Sequence, residues 1–126
     1  MPSYDTTRFS PPAPVGLIEV RNPATGAVHA NVPMLIDTGA DITLLPRQYI
    51  AQLNLPIEAA EAYELLGFDG ARSTAPAVHL DLIFLGRTFR GRFALIDQPD
   101  GIIGQNILNH PHLAFNGPGL QWDKIG

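Results

Sequence analysis

An all-β fold built on one core is predicted by three features of the 126-residue chain. Twelve Gly and twelve Pro are spread along its whole length, and the runs between them are short and rich in β-branched or aromatic residues, which favours strands joined by turns over a helical bundle. Apolar residues make up 45% of the chain, enough for one domain with a core of its own. No apolar run approaches the ~20 residues needed to span a bilayer, since Leu80 to Leu85 is broken by Asp81 and followed by Gly86-Arg87.

The elements follow in order. Residues 1–14 are polar and then proline-rich (Pro11-Pro12-Ala13-Pro14) and read as an N-terminal arm, with the folded domain over 15–126. Val15 to Val20 and Ala27 to Val32 form a hairpin about the turn residues Asn22-Pro23-Ala24-Thr25-Gly26. Met34 to Asp37 reads as a buried strand ending in a tight Asp37-Thr38-Gly39 turn, and Ile42 to Leu45 resumes extended structure. Arg47 to Leu53 is a short helix opened by Pro46 and stopped before Pro56. Ala59 to Leu66 suit a helix by propensity, but Tyr63 to Leu66 leading into the glycine pair of Gly67-Phe68-Asp69-Gly70 decides for a hairpin with a glycine-rich tip. Val78 to Leu85 and Thr88 to Ile96 form a further hairpin about Gly86-Arg87, with Gly91 marking a bulge. A second short helix over about Gln105 to Asn109 ends before Pro111, and Leu113 to Phe115 and Leu120 to Trp122 close the chain as strands. Met34-Leu35-Ile36-Asp37 is echoed by Ala94-Leu95-Ile96-Asp97, which predicts two similar strand-turn-strand-helix units packed within the one domain.

Composition narrows the function. Eight Lys and Arg against twelve Asp and Glu give a net charge of -4, which argues against a nucleic-acid partner. The absence of Cys excludes a disulfide framework, a thiolate metal site and a cysteine nucleophile. The polar N-terminus lacks the apolar segment of a secretory signal, so a soluble, cytoplasmic protein without a membrane partner is expected. His110-Pro111-His112 has no third ligand at a recognisable spacing, and Ser10 and Ser73 lack a nucleophile-elbow context. Neither a metal nor another cofactor is expected.

The most informative stretch is Leu35-Ile36-Asp37-Thr38-Gly39-Ala40-Asp41. An apolar strand delivers a carboxylate into a turn whose backbone N–H groups can receive it, including that of Gly39, where no Cβ blocks approach. This stretch resembles the active-site signature of the retropepsins, the retroviral-type aspartic proteases, and Ile102-Ile103-Gly104 resembles their second landmark, an apolar-apolar-glycine segment beneath the active-site turn. The resemblance covers roughly Val15 to Phe115. It implies an all-β, single-lobe acid-protease fold, a closed β-barrel with one or two short helices that functions as a homodimer. It further implies Asp37 as the catalytic carboxylate, Thr38 as the residue gripping its symmetry mate and Gly39 as a substrate main-chain contact. Ala40 and Asp41 would meet substrate further out, Ile42, Leu44 and Ile102 would wall the pockets, and Gly67 and Phe68 fall where the family has its flap. Viral members usually carry Arg where this chain has Gln105, so an ionic tie to Asp41 is absent, and the flap tip departs from the family pattern at Phe68-Asp69.

Chemistry then sets the stoichiometry. Peptide hydrolysis by this route needs two carboxylates sharing a proton, because like charges about 3 Å apart do not both ionise readily. The chain has one Asp-Thr-Gly, so the second Asp37 must come from a second copy across a two-fold axis. The expected function is an aspartic endopeptidase acting on a protein or peptide; the alternative is a non-catalytic module of the same fold that binds peptides or dimerises.

Overall fold

In the computed structural model, which describes residues 2–56, 58–66 and 72–126, eight strands form one sheet and a two-stranded hairpin stands beside it. The strands are β1 (Tyr4–Asp5), β2 (Ala13–Arg21), β3 (Val28–Ile36), β4 (Leu44–Pro46), β5 (Glu58–Leu66), β6 (Arg72–Phe84), β7 (Arg87–Ile96) and β8 (Gly101–Ile103), followed by β9 (Leu113–Asn116) and β10 (Gln121–Lys124). Two four-residue helices, α1 (Arg47–Ile50) and α2 (Gln105–Leu108), follow β4 and β8, and a 3-10 turn over Ala51–Leu53 extends α1. The fold is all-β with few helical residues, as the glycine and proline spacing predicts.

The sheet order is β1-β2-β3-β8-β4-β7-β6-β5, and an additional β2–β6 pairing turns the sheet back on itself. Its centre realises the internal echo. β3 pairs in parallel with β8, Met34 opposite Gly101 and Ile36 opposite Ile103, while β4 pairs in parallel with β7, Leu44 opposite Ala94 and Pro46 opposite Ile96. Each unit therefore lays its second strand against the first strand of the other. The two meet where Leu44 and Ile102 pair antiparallel. The inward residues of these strands, Met34, Ile36, Leu45, Leu95 and Ile103, are buried together with Val20, Val32, Leu80 and Leu82.

Several local expectations shift. The strand expected to resume at Ile42 begins at Leu44, because Ile42 and Thr43 lie in the loop that β8 and α2 grip. The tight turn of the β6–β7 hairpin is Leu85-Gly86, both at positive φ (51° and 77°), so Arg87 already belongs to β7. No bulge forms at Gly91: it stands opposite Leu80 in an unbroken register from Ala77 to Phe84. The register instead shifts between Ile18 and Val20 in β2 and between Glu58 and Tyr63 in β5. β5 is a strand, as the hairpin reading requires, and its pairing with β6 runs to Leu66 opposite Arg72. The tip that carries Gly67 and Phe68 lies outside the described residues.

The N-terminal residues are tied to the sheet at Tyr4–Asp5 and again from Ala13. Tyr4 and Asp5 pair with Pro14 and Ala13, Ser3 bridges Gln121, and Trp122 N–H donates to Pro2 O at 3.1 Å. Trp122 is 1% exposed, its indole N–H donates to Val15 O at 3.0 Å, and its ring fills the space over Gly16, where a Cβ would come within 3.3 Å of it. The closing hairpin is thereby tied to β2.

Among the described residues, one charged group is buried in the sheet. Asp81 on β6 stands in register between Arg21 on β2 and Arg90 on β7 and is 0% exposed. Arg21 donates to Oδ2 from Nε and Nη2 at 3.2 and 3.0 Å, and Arg90 donates to Oδ1 at 2.8 Å and Oδ2 at 3.2 Å. Arg90, helped by Arg21 and opposed by burial, holds the Asp81 carboxyl below its ordinary value of 3.8. A carboxylate whose folded pKa is depressed stabilises the fold above its unfolded pKa and loses that contribution as the pH falls through the folded one. Asp81→Asn is therefore expected to lower Tm by roughly 5 °C at pH 7, and the gap to wild type should narrow below about pH 4. Thermal melts across pH 2.5–7 check this, and a gap that stays constant across that range would remove the ion pairs from the account.

Candidate active site

Asp37 follows the last residue of β3, and alternation along the strand decides what it faces. Ile36 points into the core, while Leu35 and Asp37, two residues apart and half-buried, share the opposite face. The loop after β3 turns back at once. Asp37 Oδ1 accepts the Gly39 N–H at 2.9 Å, and Asp37 O accepts the Ala40 N–H at 3.2 Å. Thr38 and Gly39 at the apex are exposed.

The β8–α2 junction holds this loop from beneath. Ile103 O accepts the Asp37 N–H at 3.1 Å, Gln105 N–H donates to Ala40 O at 2.8 Å, and Asn106 N–H donates to Asp41 O at 3.2 Å. Thr43, 1% exposed, closes the arrangement: its hydroxyl accepts the Gly104 N–H at 3.1 Å and donates to Asn106 Oδ1 at 2.8 Å. Gly104 packs so tightly on the loop that a Cβ would collide with the Ile42 carbonyl and lie 2.8 Å from Ala40 O. This contact supplies the physical reason for glycine in Ile102-Ile103-Gly104. Gln105, which stands where viral retropepsins usually have Arg, turns its side-chain amide to the loop apex and donates to Thr38 O at 2.8 Å.

Beside the loop runs a groove of about 900 Å³. Leu35, Leu44 and Ile102 form its floor; they are neighbours by register, Leu35 opposite Ile102 in the parallel pair and Leu44 opposite Ile102 in the antiparallel one. Two of the expected pocket residues, Leu44 and Ile102, thus lie side by side in one groove. Ile42, half-buried, and Ala40 and Asp41 stay in the loop and do not line the groove. Gly67 and Phe68 are outside the described residues. Sequence reasoning missed Leu35, whose signal is its place two residues before Asp37, and Thr43, whose signal is one hydroxyl within the apolar run Ile42 to Leu45. It also missed Asn106, Arg8 and Asp100, which reach the site only through tertiary contacts.

The structure thus presents a carboxylate on a clamped, exposed turn beside a groove with an apolar floor, in an all-β fold. A family model for aspartyl proteases matches residues 25–107, a span that holds the loop, the groove floor and the β8 segment. The chain belongs to the aspartyl protease family, in its retropepsin-like branch. Among solved structures, EIAV protease complexed with the inhibitor HBY-793 is similar at 21% identity and a TM-score of 0.55, over 77% of this chain and 86% of that one. At that identity the likeness establishes the fold. No curated protein matches the chain.

Thr43→Val keeps the shape and removes the hydroxyl, leaving the Gly104 N–H and Asn106 Oδ1 without their partner. A loss of about 2 kcal/mol is expected, read as a lower urea midpoint at unchanged slope. An unchanged midpoint would show that the hydroxyl does not hold the loop.

Proposed function

We propose that the protein is an aspartic endopeptidase in which two copies of Asp37, one from each chain of a homodimer, activate water against a peptide carbonyl. The observation that carries this reading is the single Asp37, half-buried at the base of an exposed turn that six hydrogen bonds from β8, α2 and the turn itself fix in place. Such a loop offers one rigid carboxylate to whatever approaches its exposed face. One Asp would act as general base on the water and the other, protonated, would polarise the carbonyl. Thr38 would meet the second chain and Gly39 the substrate main chain, and the groove floor suits apolar side chains or stems.

The face that would receive the second chain has a second supporting feature. Among the described residues β9 pairs on one edge only, with β10. Phe115 on it is 44% exposed and, with Thr38, Gln105, Leu108 and Leu113, lines a hollow of about 280 Å³. An unpaired strand edge beside the half-site is a ready template for pairing with its symmetry mate.

Asp37→Asn is expected to abolish cleavage of a denatured protein at pH 4–7 and to leave the fold and dimer intact, with a raised Tm because the like-charge penalty is gone. Wild-type cleavage by this variant would remove Asp37 from the mechanism. A wild type that binds peptides and does not cleave them would favour the binding module.

The rate of the wild type should follow a bell in pH, falling at low pH as the base takes a proton and at high pH as the acid loses one. EDTA should leave it unchanged; activity abolished by EDTA and restored by zinc would overturn the mechanism. The dimer itself is tested by light scattering: a monomer at high micromolar concentration that stays monomeric with a statine peptide would count against the paired carboxylates.

A further inference from the structure

The groove beside Asp37 is apolar on its floor and charged at its far end. Asp100, the residue before β8, lines it together with Arg8, and the Asp100 side chain is 13% exposed. Its Oδ1 lies 2.7 Å from Arg8 Nη1, in an ion pair without the alignment of a hydrogen bond. Arg8 is already engaged from behind: its Nε donates to Asp5 Oδ2 at 2.7 Å, and Asp5 Oδ1 accepts the N–H groups of Thr7 and Arg8, both at 2.9 Å, and the Thr7 hydroxyl at 3.0 Å. The backbone and then the side chain of Arg8 hold Asp5 far below the usual carboxylate range, so Asp5 stays charged.

One guanidinium thus serves two carboxylates, and the three groups carry a net charge of −1. Asp5 lies outside the groove lining, so the uncompensated charge falls on the groove side, at Asp100. The other charged pair on the rim, Arg47 with Asp97 at 3.2 Å, is balanced and exposed (42% and 82%) and adds little to selection. An apolar floor that ends in an under-compensated carboxylate fits a side chain with an aliphatic stem and a cationic tip. The chain's net charge of -4 favours approach of a basic peptide as well.

We propose that Asp100 is a specificity-determining residue of this groove and selects a lysine or arginine of the substrate, the stem lying over Leu35, Leu44 and Ile102 and the cation against the carboxylate. The inference rests on the reading of the groove as the substrate cleft. Asp100 precedes Gly101, which is opposite Met34, so it sits four residues along the strands from the level of Asp37, roughly 13 Å at the usual rise. The cation therefore binds away from the reacting carboxylates.

The test uses peptides that differ only in carrying lysine, norleucine or glutamate at each of the three positions on either side of the cleaved bond; norleucine keeps most of the stem and drops the charge. With wild type, lysine should exceed norleucine in kcat/KM by about fivefold at one position, with glutamate poorest there. Asp100→Asn should bring lysine and norleucine level at that position and cleave the norleucine peptide within about twofold of wild type. A purely structural role for Asp100 would lower all peptides alike. The idea is overturned if no position prefers lysine, if glutamate is preferred, or if Asp100→Asn keeps the preference. The same peptides are titrated onto Asp37→Asn by fluorescence anisotropy. Tighter binding of the lysine peptide with no cleavage by wild type would uphold this inference and sink the protease reading; cleavage by wild type with equal binding of all three would do the reverse.

Discussion

The contact between Gly104 and the backbone of Ala40 and Ile42 is the constraint on which the site depends. It brings two short strand-turn units close enough for the peptide groups of β8 and α2 to reach the loop after β3. Each unit also lends a strand to the other, β8 to β3 and β4 to β7, so the loop hangs from the most buried part of the sheet. A side chain at position 104 would have to push the loop away and break the Asp37–Ile103 and Ala40–Gln105 hydrogen bonds together. The carboxylate is therefore fixed by the core and not by a surface loop's own preferences. The proposed reaction between two carboxylates and one water would demand such rigidity, because a displacement on the order of 1 Å costs much of the rate.

The chain holds two kinds of compensated carboxylate, and their difference separates structure from selection. Asp81 has four hydrogen bonds from two arginines directly opposite it in register, so both of its buried oxygens have donors, and nothing about it invites a ligand. Asp100 shares a single arginine with Asp5 and lines an open groove. The first arrangement closes on itself. The second leaves electrostatic work for an incoming group, and the apolar floor of Leu35, Leu44 and Ile102 favours a group with an apolar stem.

Sequence made the centre of this arrangement legible because it is local. Asp37-Thr38-Gly39-Ala40 after an apolar strand, Ile102-Ile103-Gly104 before a short helix, and the echo of Met34 to Asp37 in Ala94 to Asp97 all lie within runs of a few residues, where alternation and turn chemistry act directly. What pairs with what was out of reach. The echo announces two units and does not say that their strands are exchanged in parallel pairs, because parallel partners are distant in the chain. Gly91 looks like a bulge by residue type, yet it lies within an unbroken antiparallel pairing with β6, and the register shifts fall at Ile18–Val20 and in β5. Thr43, Asn106 and Gln105 show polar side chains whose partners sit more than sixty residues away, and only the fold supplies those partners.

The N-terminal segment shows how far such long-range placement extends the site. Polar and proline-rich composition reads as an arm, since the residues offer little apolar surface to bury. Their hydrogen-bonding groups decide otherwise. Tyr4 and Asp5 complete the edge of β2, Pro2 and Ser3 meet β10, and Asp5 then turns its carboxylate back to fix Arg8. With Arg8 fixed, Asp100 acquires an ion pair, and the groove acquires a charged end. The segment that composition sets apart thereby joins β2 and β10 on the outside of the sheet to the groove that runs beside Asp37, and the polarity of that groove is decided by residues that precede the apolar core in the chain.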